Sequence, residues 1–352
     1  MWKSIPEINS NNSQKVFRKF RDWLSPSCII LLYHRVTKLT SDPQLLAVSP
    51  EHFSEHMEVL RKNTRPLPLQ QLTKEMRAGS LTRRGVVITF DDGYSDNLNE
   101  AKPILERYGF PATVFVPSGN IDTSSEFWWD DLERIFLLPG KLPESLFLSI
   151  NGQKYHWDME EWVEYTDEDY RRFCKWNVFE LEIPTIRHNI YMKLCELLRN
   201  LAIKERNSIV SYIVNWSGKP AKGRKTHRVL SASELRMITE GGLVEIGAHT
   251  VNHPVLATIS QEEQIHEIRQ NKSALENTLS HPINSFSYPF GSMADYTVDT
   301  VKIINEAGFD SACSNFPGKV QNGTDFFQLP RFLVRNWSGN EFERQLNDFW
   351  LY

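Results

Sequence analysis

Cysteine is scarce in this chain. The four residues Cys28, Cys174, Cys195 and Cys313 stand far apart and form no CxxC pair. That argues against a disulfide scaffold and a cysteine-based zinc site, and suits reduced thiols. An excess of positive charge is also missing. With 40 Lys and Arg against 44 Asp and Glu, the net charge is -4, which offers no electrostatic footprint for nucleic acid. No run is long and apolar enough to span a bilayer: "CIILLY" (Cys28–Tyr33) is far too short. The start, "MWKSIPEINSNNSQ", lacks the basic-then-apolar layout of a secretory leader. Taken as complete, the chain is therefore expected in the cytoplasm. Internal repeats and low-complexity tracts are absent as well.

What is present is ordinary in bulk and patterned in detail. The 352 residues are 40% apolar and 24% charged, which suits one large α/β domain with an insertion, or two domains. Apolar runs read as strands at "CIILLYHRV", "GVVITF" and "ATVFVP". Helical spacing separates them. In "SPEHFSEHMEVLRKN" Ser49 suits an N-cap, Pro50 suits the first turn, and Phe53, Met57 and Leu60 form one stripe. A helix near Asn97–Tyr108 stops at Gly109. This alternation predicts a mostly parallel sheet, either barrel or doubly wound.

The rhythm breaks at residue 120 and resumes near Ser231. It continues with a strand at Leu243–His249, a helix at Gln261–Leu279, and strands within Ile283–Gly291, Gly308–Ser314 and Phe326–Val334. Between the two core stretches the chain is rich in tryptophan, acidic residues and helical pattern, with a hairpin turning on Asn151-Gly152. We read 28–119 and 229–337 as the core domain, 120–228 as a largely helical insertion able to cap the site, and 338–352 as a C-terminal helix. Residues 1–27 are a lead-in that carries an amphipathic helix, Ser13–Leu24. That helix either packs on the domain or, having basic residues beside aromatics, rests residues 13–24 on an anionic membrane.

Polar clusters punctuate three strand ends, "YHRV", "TFDDG" and "GAHTVNH". In parallel α/β folds, sites gather at the carboxyl ends of strands. Asp91 and Asp92 are adjacent carboxylates, which repel and are costly to bury unless something pairs with them. His249 and His253 are four apart, so a helical turn would present both on one side. With one carboxylate they make a site suited to zinc, cobalt, nickel, manganese or iron. The spacing alone is weak, because His52 and His56 share it. That pair lies on the helix with Phe53, Met57 and Leu60, has no carboxylate cluster at a strand end, and reads as two surface histidines.

Taken in order, "TFDDGY", "HTVNH" and "SYPFG" resemble the first three motifs of the polysaccharide deacetylase superfamily (NodB homology, carbohydrate esterase family 4). The likeness covers about Cys28–Asn120 and Ser231–Val334. It implies an α/β fold, a distorted (β/α) barrel, and a divalent metal, Zn2+ first, with Co2+, Ni2+, Mn2+ or Fe2+ as other occupants. By the family's pattern Asp92 is the metal ligand beside His249 and His253, and Asp91 is the catalytic base toward water at the metal. The family's oxyanion donor, a backbone N–H, falls on Phe290. Two positions depart from the pattern. Ser287 stands where many members have an arginine that orients the catalytic aspartate. Arg331, from another strand, either replaces it or is a plain surface or phosphate-contacting arginine. No histidine follows His281, so the usual C-terminal acid histidine is missing. His34 instead resembles the acid of the circularly permuted branch, similar to poly-N-acetylglucosamine deacetylases, where that histidine comes first. Barrel closure would set the first strand beside the last.

The resemblance implies metal-dependent hydrolytic N-deacetylation of an acetylated amino sugar, with His34 protonating the departing nitrogen. Deformylation or O-deacetylation would use the same residues. A non-catalytic carbohydrate-binding protein on this scaffold is disfavoured, because Asp91, both ligand histidines and His34 are all present. Aromatic faces suit sugar rings, and Tyr94, Trp129 and Tyr288 are read as substrate contacts. Core packing is the plainer account for most of the insertion's tryptophans. An expectation of cytoplasmic location points to a nucleotide sugar, a lipid-linked saccharide or a glycan intermediate. Membrane contact would favour the lipid-linked form.

Overall fold

The structure, a computed structural model, describes residues 26–352. The expected helix at Ser13–Leu24 lies outside them. The principal sheet has 8 strands and is parallel throughout. The barrel strands are β1 (Cys28–Tyr33), β2 (Gly85–Phe90), β3 (Ala112–Val116), β4 (Val244–Ala248), β5 (Ser285–Ser287), β6 (Ser311–Cys313) and β7 (Phe332–Leu333). They run in the order β6-β5-β4-β3-β2-β1-β7, and Arg65–Pro66 pairs with the start of β2.

The first strand does meet the last. Leu31 and Leu32 register with Phe332 and Leu333. The gap between β6 and β7 is crossed by Leu329, which bridges in parallel to Cys313. The long strand expected over Phe326–Val334 is therefore two short pairings either side of Pro330 and Arg331. Proline offers no N–H to a ladder, and the Arg331 N–H turns to Phe316 O at 3.0 Å.

Side-chain alternation divides the strands between two cores. Ile29, Leu31 and Tyr33 of β1 join Val86, Ile88 and Phe90 of β2 in the large core under the helices. Cys28, Ile30, Val87 and Phe115 join Cys313 and Leu329 inside the barrel. The same parity aims His34, one step past β1, and Asp91, one step past β2, inward at the rim. Tyr33 registers with Phe90, so His34 and Asp91 emerge side by side. Gly247 of β4 is demanded by close approach, since a Cβ there would stand 2.3 Å from Phe115 Cδ1.

The helices used below are α1 (Pro50–Asn63), α2 (Trp128–Phe136), α3 (Ile186–Arg199), α4 (Ile203–Ser217), α5 (Gln261–Leu279) and α6 (Gly339–Leu351). Ser49 caps α1 by accepting the His52 N–H. The surface reading of the histidines on α1 is corrected for His56. It is fully buried, between Tyr33 Oη at 3.2 Å and Trp337 O at 2.7 Å, and stacks on Phe342 of α6.

Residues 120–228 carry a core of their own. It contains Leu132 and Phe136 of α2, Ile190 and Leu194 of α3, Ile213 of α4, and Leu146 and Leu148 of the hairpin. The hairpin pairs Ser145–Ile150 with Gln153–Asp158, and Asn151 (φ 50°) and Gly152 (φ 76°) make its left-handed turn. This segment sits over the carboxyl rim of the barrel, and we call it the cap. Among the described residues no helix is long and apolar enough to cross a membrane.

Candidate active site

At the end of β2 the chain turns at once. Asp92 has φ 71° and Gly93 φ 61°, and a Cβ on Gly93 would stand 2.9 Å from Val116 Cγ2. This left-handed turn sends the adjacent carboxylates to different neighbours. Asp91 meets Arg331, whose Nη1 donates to Oδ1 at 2.8 Å and Nη2 to Oδ2 at 2.7 Å. Ser287 Oγ donates to the same Oδ2 at 3.1 Å. Arg331 is fixed in turn by Nε to Ser314 O at 2.7 Å. The small side chain at 287 leaves the space that Arg331 fills from β7's side of the barrel. Burial alone would raise the Asp91 carboxyl, but Arg331, with His249 and His34 nearby, outweighs it and holds the group below the usual carboxylate range.

Asp92 faces the histidines. Its Oδ1 lies 3.5 Å from His249 Nε2 and 3.3 Å from His253 Nε2, yet this buried atom has no hydrogen-bonding geometry to a partner. His249 Nδ1 lies 2.7 Å from Ser287 O. That contact requires the proton on Nδ1, so the Nε2 lone pair points at Asp92. Two imidazole nitrogens and one carboxylate oxygen, all within 4.8 Å of one another, form a donor set that fits a divalent cation. An orphaned buried acceptor is the cost that such a cation would remove. Burial opposes ionisation of Asp92, but the flanking imidazoles win and push its carboxyl far down. Burial lowers His253 and His34, whereas at His249 burial is outweighed by Asp91 and Asp92, which raise it.

The segment between the histidines is not the helical turn that the spacing suggested. Thr250 (φ 64°) and His253 (φ 52°) are left-handed. Glu267 of α5 holds the loop by accepting the Val251 and Asn252 N–H groups at 2.9 and 2.7 Å. Asn271, one turn further along α5, accepts the His249 N–H at 2.9 Å and donates to Val116 O.

A cavity of about 520 Å³ opens on this rim. His34, Asp91, Asp92, His249, His253 and Phe290 line its floor. Trp128, Trp129, Val178, Phe179, Met192, Cys195 and Arg199 line it from the cap. Phe290 has φ 61°. Its carbonyl accepts Asn315 Nδ2 at 3.0 Å, and among the described residues its N–H has no hydrogen-bond partner. Trp129 presents an edge to His253 at 5.1 Å and stacks on Phe127 at 4.5 Å.

Two expected substrate contacts are corrected by their placement. Tyr94 is fully buried. Its hydroxyl donates to Asp130 Oδ2 at 2.8 Å and accepts Trp129 Nε1, and Arg35 covers its ring. Tyr288 stacks on Tyr296 at 3.9 Å and donates to Phe327 O. It follows Ser287, which faces Asp91, so strand parity turns it away from the cavity. Trp157, Trp162, Trp176 and Trp216 do not line the cavity either. Sequence reasoning passed over the α3 residues Met192, Cys195, Glu196 and Arg199, which do. Their helical spacing, beside the buried stripe of Ile190, Leu194 and Leu198, was the available signal.

Asp130, Glu133 and His227 also gather ligand atoms within 4.8 Å. That cluster is already compensated. Arg224 Nη2 lies 2.8 Å from Glu133 Oε2, and Asp130 accepts the Tyr94 hydroxyl. It contrasts with Asp92, whose orphaned oxygen has no cation beside it among the described residues.

Known proteins share these features. Over residues 78–137 and 159–312, more than half of its length, the chain matches polysaccharide deacetylase. YxkH of Bacillus subtilis (strain 168) is 38% identical over 93 residues, 25% of this chain and 30% of that protein. The poly-beta-1,6-N-acetyl-D-glucosamine N-deacetylase of Escherichia coli (strain K12) is 30% identical over 107 residues, 30% of this chain and 16% of that protein. The matches thus span less than a third of those relatives. Among solved structures, Streptococcus pyogenes deacetylase PplD in complex with acetate has a TM-score of 0.55 at 17% identity, covering 91% of this chain and 98% of that one. IcaB from Ammonifex degensii has a TM-score of 0.55 at 16% identity, covering 93% and 98%. These structures share the fold, and the family match takes in the strands that carry Asp91, Asp92, His249 and His253: the chain belongs to the polysaccharide deacetylase family.

Proposed function

We propose that the protein is a metal-dependent hydrolase that removes the N-acetyl group of an amino sugar. The observation that carries this reading is the division of labour at Asp91 and Asp92. One carboxylate is gripped by Arg331, while its neighbour faces two imidazoles with an unsatisfied oxygen. A divalent cation, Zn2+ first, held by Asp92, His249 and His253 would lower the pKa of water beside it and polarise the acetyl carbonyl.

The remaining roles belong to this chain's own groups. Asp91 is kept ionised by Arg331 and accepts the proton that the attacking water loses. The free N–H of Phe290 donates to the carbonyl oxygen as it gains charge. His34 donates a proton to the amide nitrogen as the C–N bond breaks, releasing acetate and a free amine. Burial keeps His34 neutral at rest, so the proton it delivers is taken up during the cycle. Trp128, Trp129 and Phe179 give the cavity aromatic walls that suit sugar rings.

The test is acetate release from UDP-sugars, lipid-linked sugars and chito-oligomers, before and after chelation and metal return. Activity lost with the metal and restored by Zn2+ supports the reading, and release at an unchanged rate after complete metal removal overturns it. Asp91→Asn should abolish turnover yet bind Zn2+ as the wild type does. Equal loss of both would refute the separate tasks.

A further inference from the structure

The cap does more than roof the cavity. It sends two arginines, seven positions apart, onto two different loops of the site. Arg206 of α4 is buried, 2% exposed. Its Nη2 donates to Asn252 O at 2.7 Å and its Nη1 to His253 O at 3.3 Å. The same loop is held from the barrel side by Glu267, which takes the Val251 and Asn252 amides. A carboxylate thus accepts the loop's N–H groups while a guanidinium donates to its carbonyls. The conformation they grip is left-handed at Thr250 and His253, which non-glycine residues rarely adopt without support.

Arg199, the last residue of α3, acts on the other loop. Its Nη2 donates to Asp295 Oδ1 at 2.6 Å, and its guanidinium lies 4.5 Å over the Phe290 ring. The other oxygen of Asp295 accepts the Ser292 N–H at 2.8 Å. Phe290 is itself left-handed, and its amide direction depends on that turn being kept.

We propose that Arg206 and Arg199 are positioning residues, by which the cap completes the site. Arg206 sets the His253 imidazole for the cation, and Arg199 sets the Phe290 amide for the developing oxyanion. The inference rests on the reading of Asp92, His249 and His253 as the cation site. It assigns the two arginines different phenotypes, which a merely structural attachment of the cap would not produce.

The experiment titrates Zn2+ alone into chelator-treated full-length protein, in competition with a chromophoric chelator, and pairs this with steady-state kinetics. Arg206→Met should weaken Zn2+ binding by about 10–100-fold, the range seen when groups that orient a metal's ligands are lost. Arg206→Lys, which keeps one donor and guards against a misfolded Met variant, should fall between the two. Arg199→Ala should bind Zn2+ as the wild type does, with kcat down by up to about 10²–10³, the loss for one oxyanion donor, and little change in KM. Arg199→Lys, still able to meet Asp295, should recover part of that rate. Folded Arg206 variants with wild-type Zn2+ affinity overturn the inference, as does an Arg199→Ala variant altered only in KM. If the wild type itself binds no Zn2+, or Asp92→Ala binds it as well, the cation-site reading falls and takes the inference with it.

Discussion

Replacing Arg331 with methionine probes the pair on which the proposed base depends. The guanidinium is 1% exposed and makes two hydrogen bonds to Asp91, one to Ser287 Oγ and one to Ser314 O. Methionine fills much of the stem's volume but leaves Asp91 buried and charged, with Ser287 Oγ as its remaining donor. Removing one member of a buried ion pair costs about 3–5 kcal/mol, a large share of a typical stability of about 5–15 kcal/mol. Asp91→Asn breaks the same pair from the other end and strands the guanidinium. If the two form a unit, the double variant should be less destabilised than the sum of the single variants by about 1–3 kcal/mol. Urea unfolding of the four metal-free proteins at neutral pH measures this directly. Single-variant costs that add to within about 0.5 kcal/mol would refute the coupling. The kinetic sign is also determined. Arg331 holds the Asp91 carboxyl low, so its loss raises that group and moves the acidic limb of kcat/KM to higher pH.

Three histidines make stability depend on pH. Burial holds His56 at about 3, His188 at about 4 and His227 at about 2. The folded state therefore favours their neutral forms. The stability they contribute is present above the unfolded value near 6.5 and is lost as pH falls toward the folded values, at up to about 1.4 kcal/mol per pH unit for each. The urea midpoint should drop as pH is lowered from about 6.5 to 4.5, and His56→Gln should flatten that slope; identical slopes would contradict the assignment. At the site, His34→Ala should lower kcat on an N-acetyl sugar by about 10²–10⁴. It should cost far less on an aryl acetate, whose leaving group departs without a proton, and equal losses on both would remove His34 as the acid.

The parts of the site legible in the sequence were those tied to strand ends. Asp91, Asp92 and His249 each follow an apolar run directly, and parallel alternation alone gathers such ends at one rim. What escaped was set by distant packing. Tyr94 and Tyr288 stand beside motif residues, and nearness in sequence made them resemble contacts. Yet Tyr94 is spoken for by Asp130 and Trp129, which lie over thirty positions on. His56 falls on the same helical stripe as Phe53 and Leu60, three and four positions away. Its polarity suggested water, but Trp337 and Phe342 satisfy and cover it from the far end of the chain. The left-handed Thr250 has no local signal, because a β-branched residue disfavours that region. Its support comes through Glu267 and Arg206, on two separate helices.

The junction between cap and barrel shows why the cap can hold loops in place. Arg35, just past β1, reaches Asp96 at 3.0 Å and Thr226 O at 2.5 Å. Arg224 meets Glu126 at 2.7 Å and Glu133 at 2.8 Å. These groups are largely buried, and such pairs add little net stability, because desolvation offsets most of their attraction. Their geometry is strict where an apolar contact is forgiving: a small slide of α2 would cost little in packed methylenes but would leave charges unpaired in the interior. A cap held this way returns Arg199 and Arg206 to the same atoms each time the protein folds. An apolar junction of equal area would let the two arginines drift from the carbonyls and the carboxylate they hold.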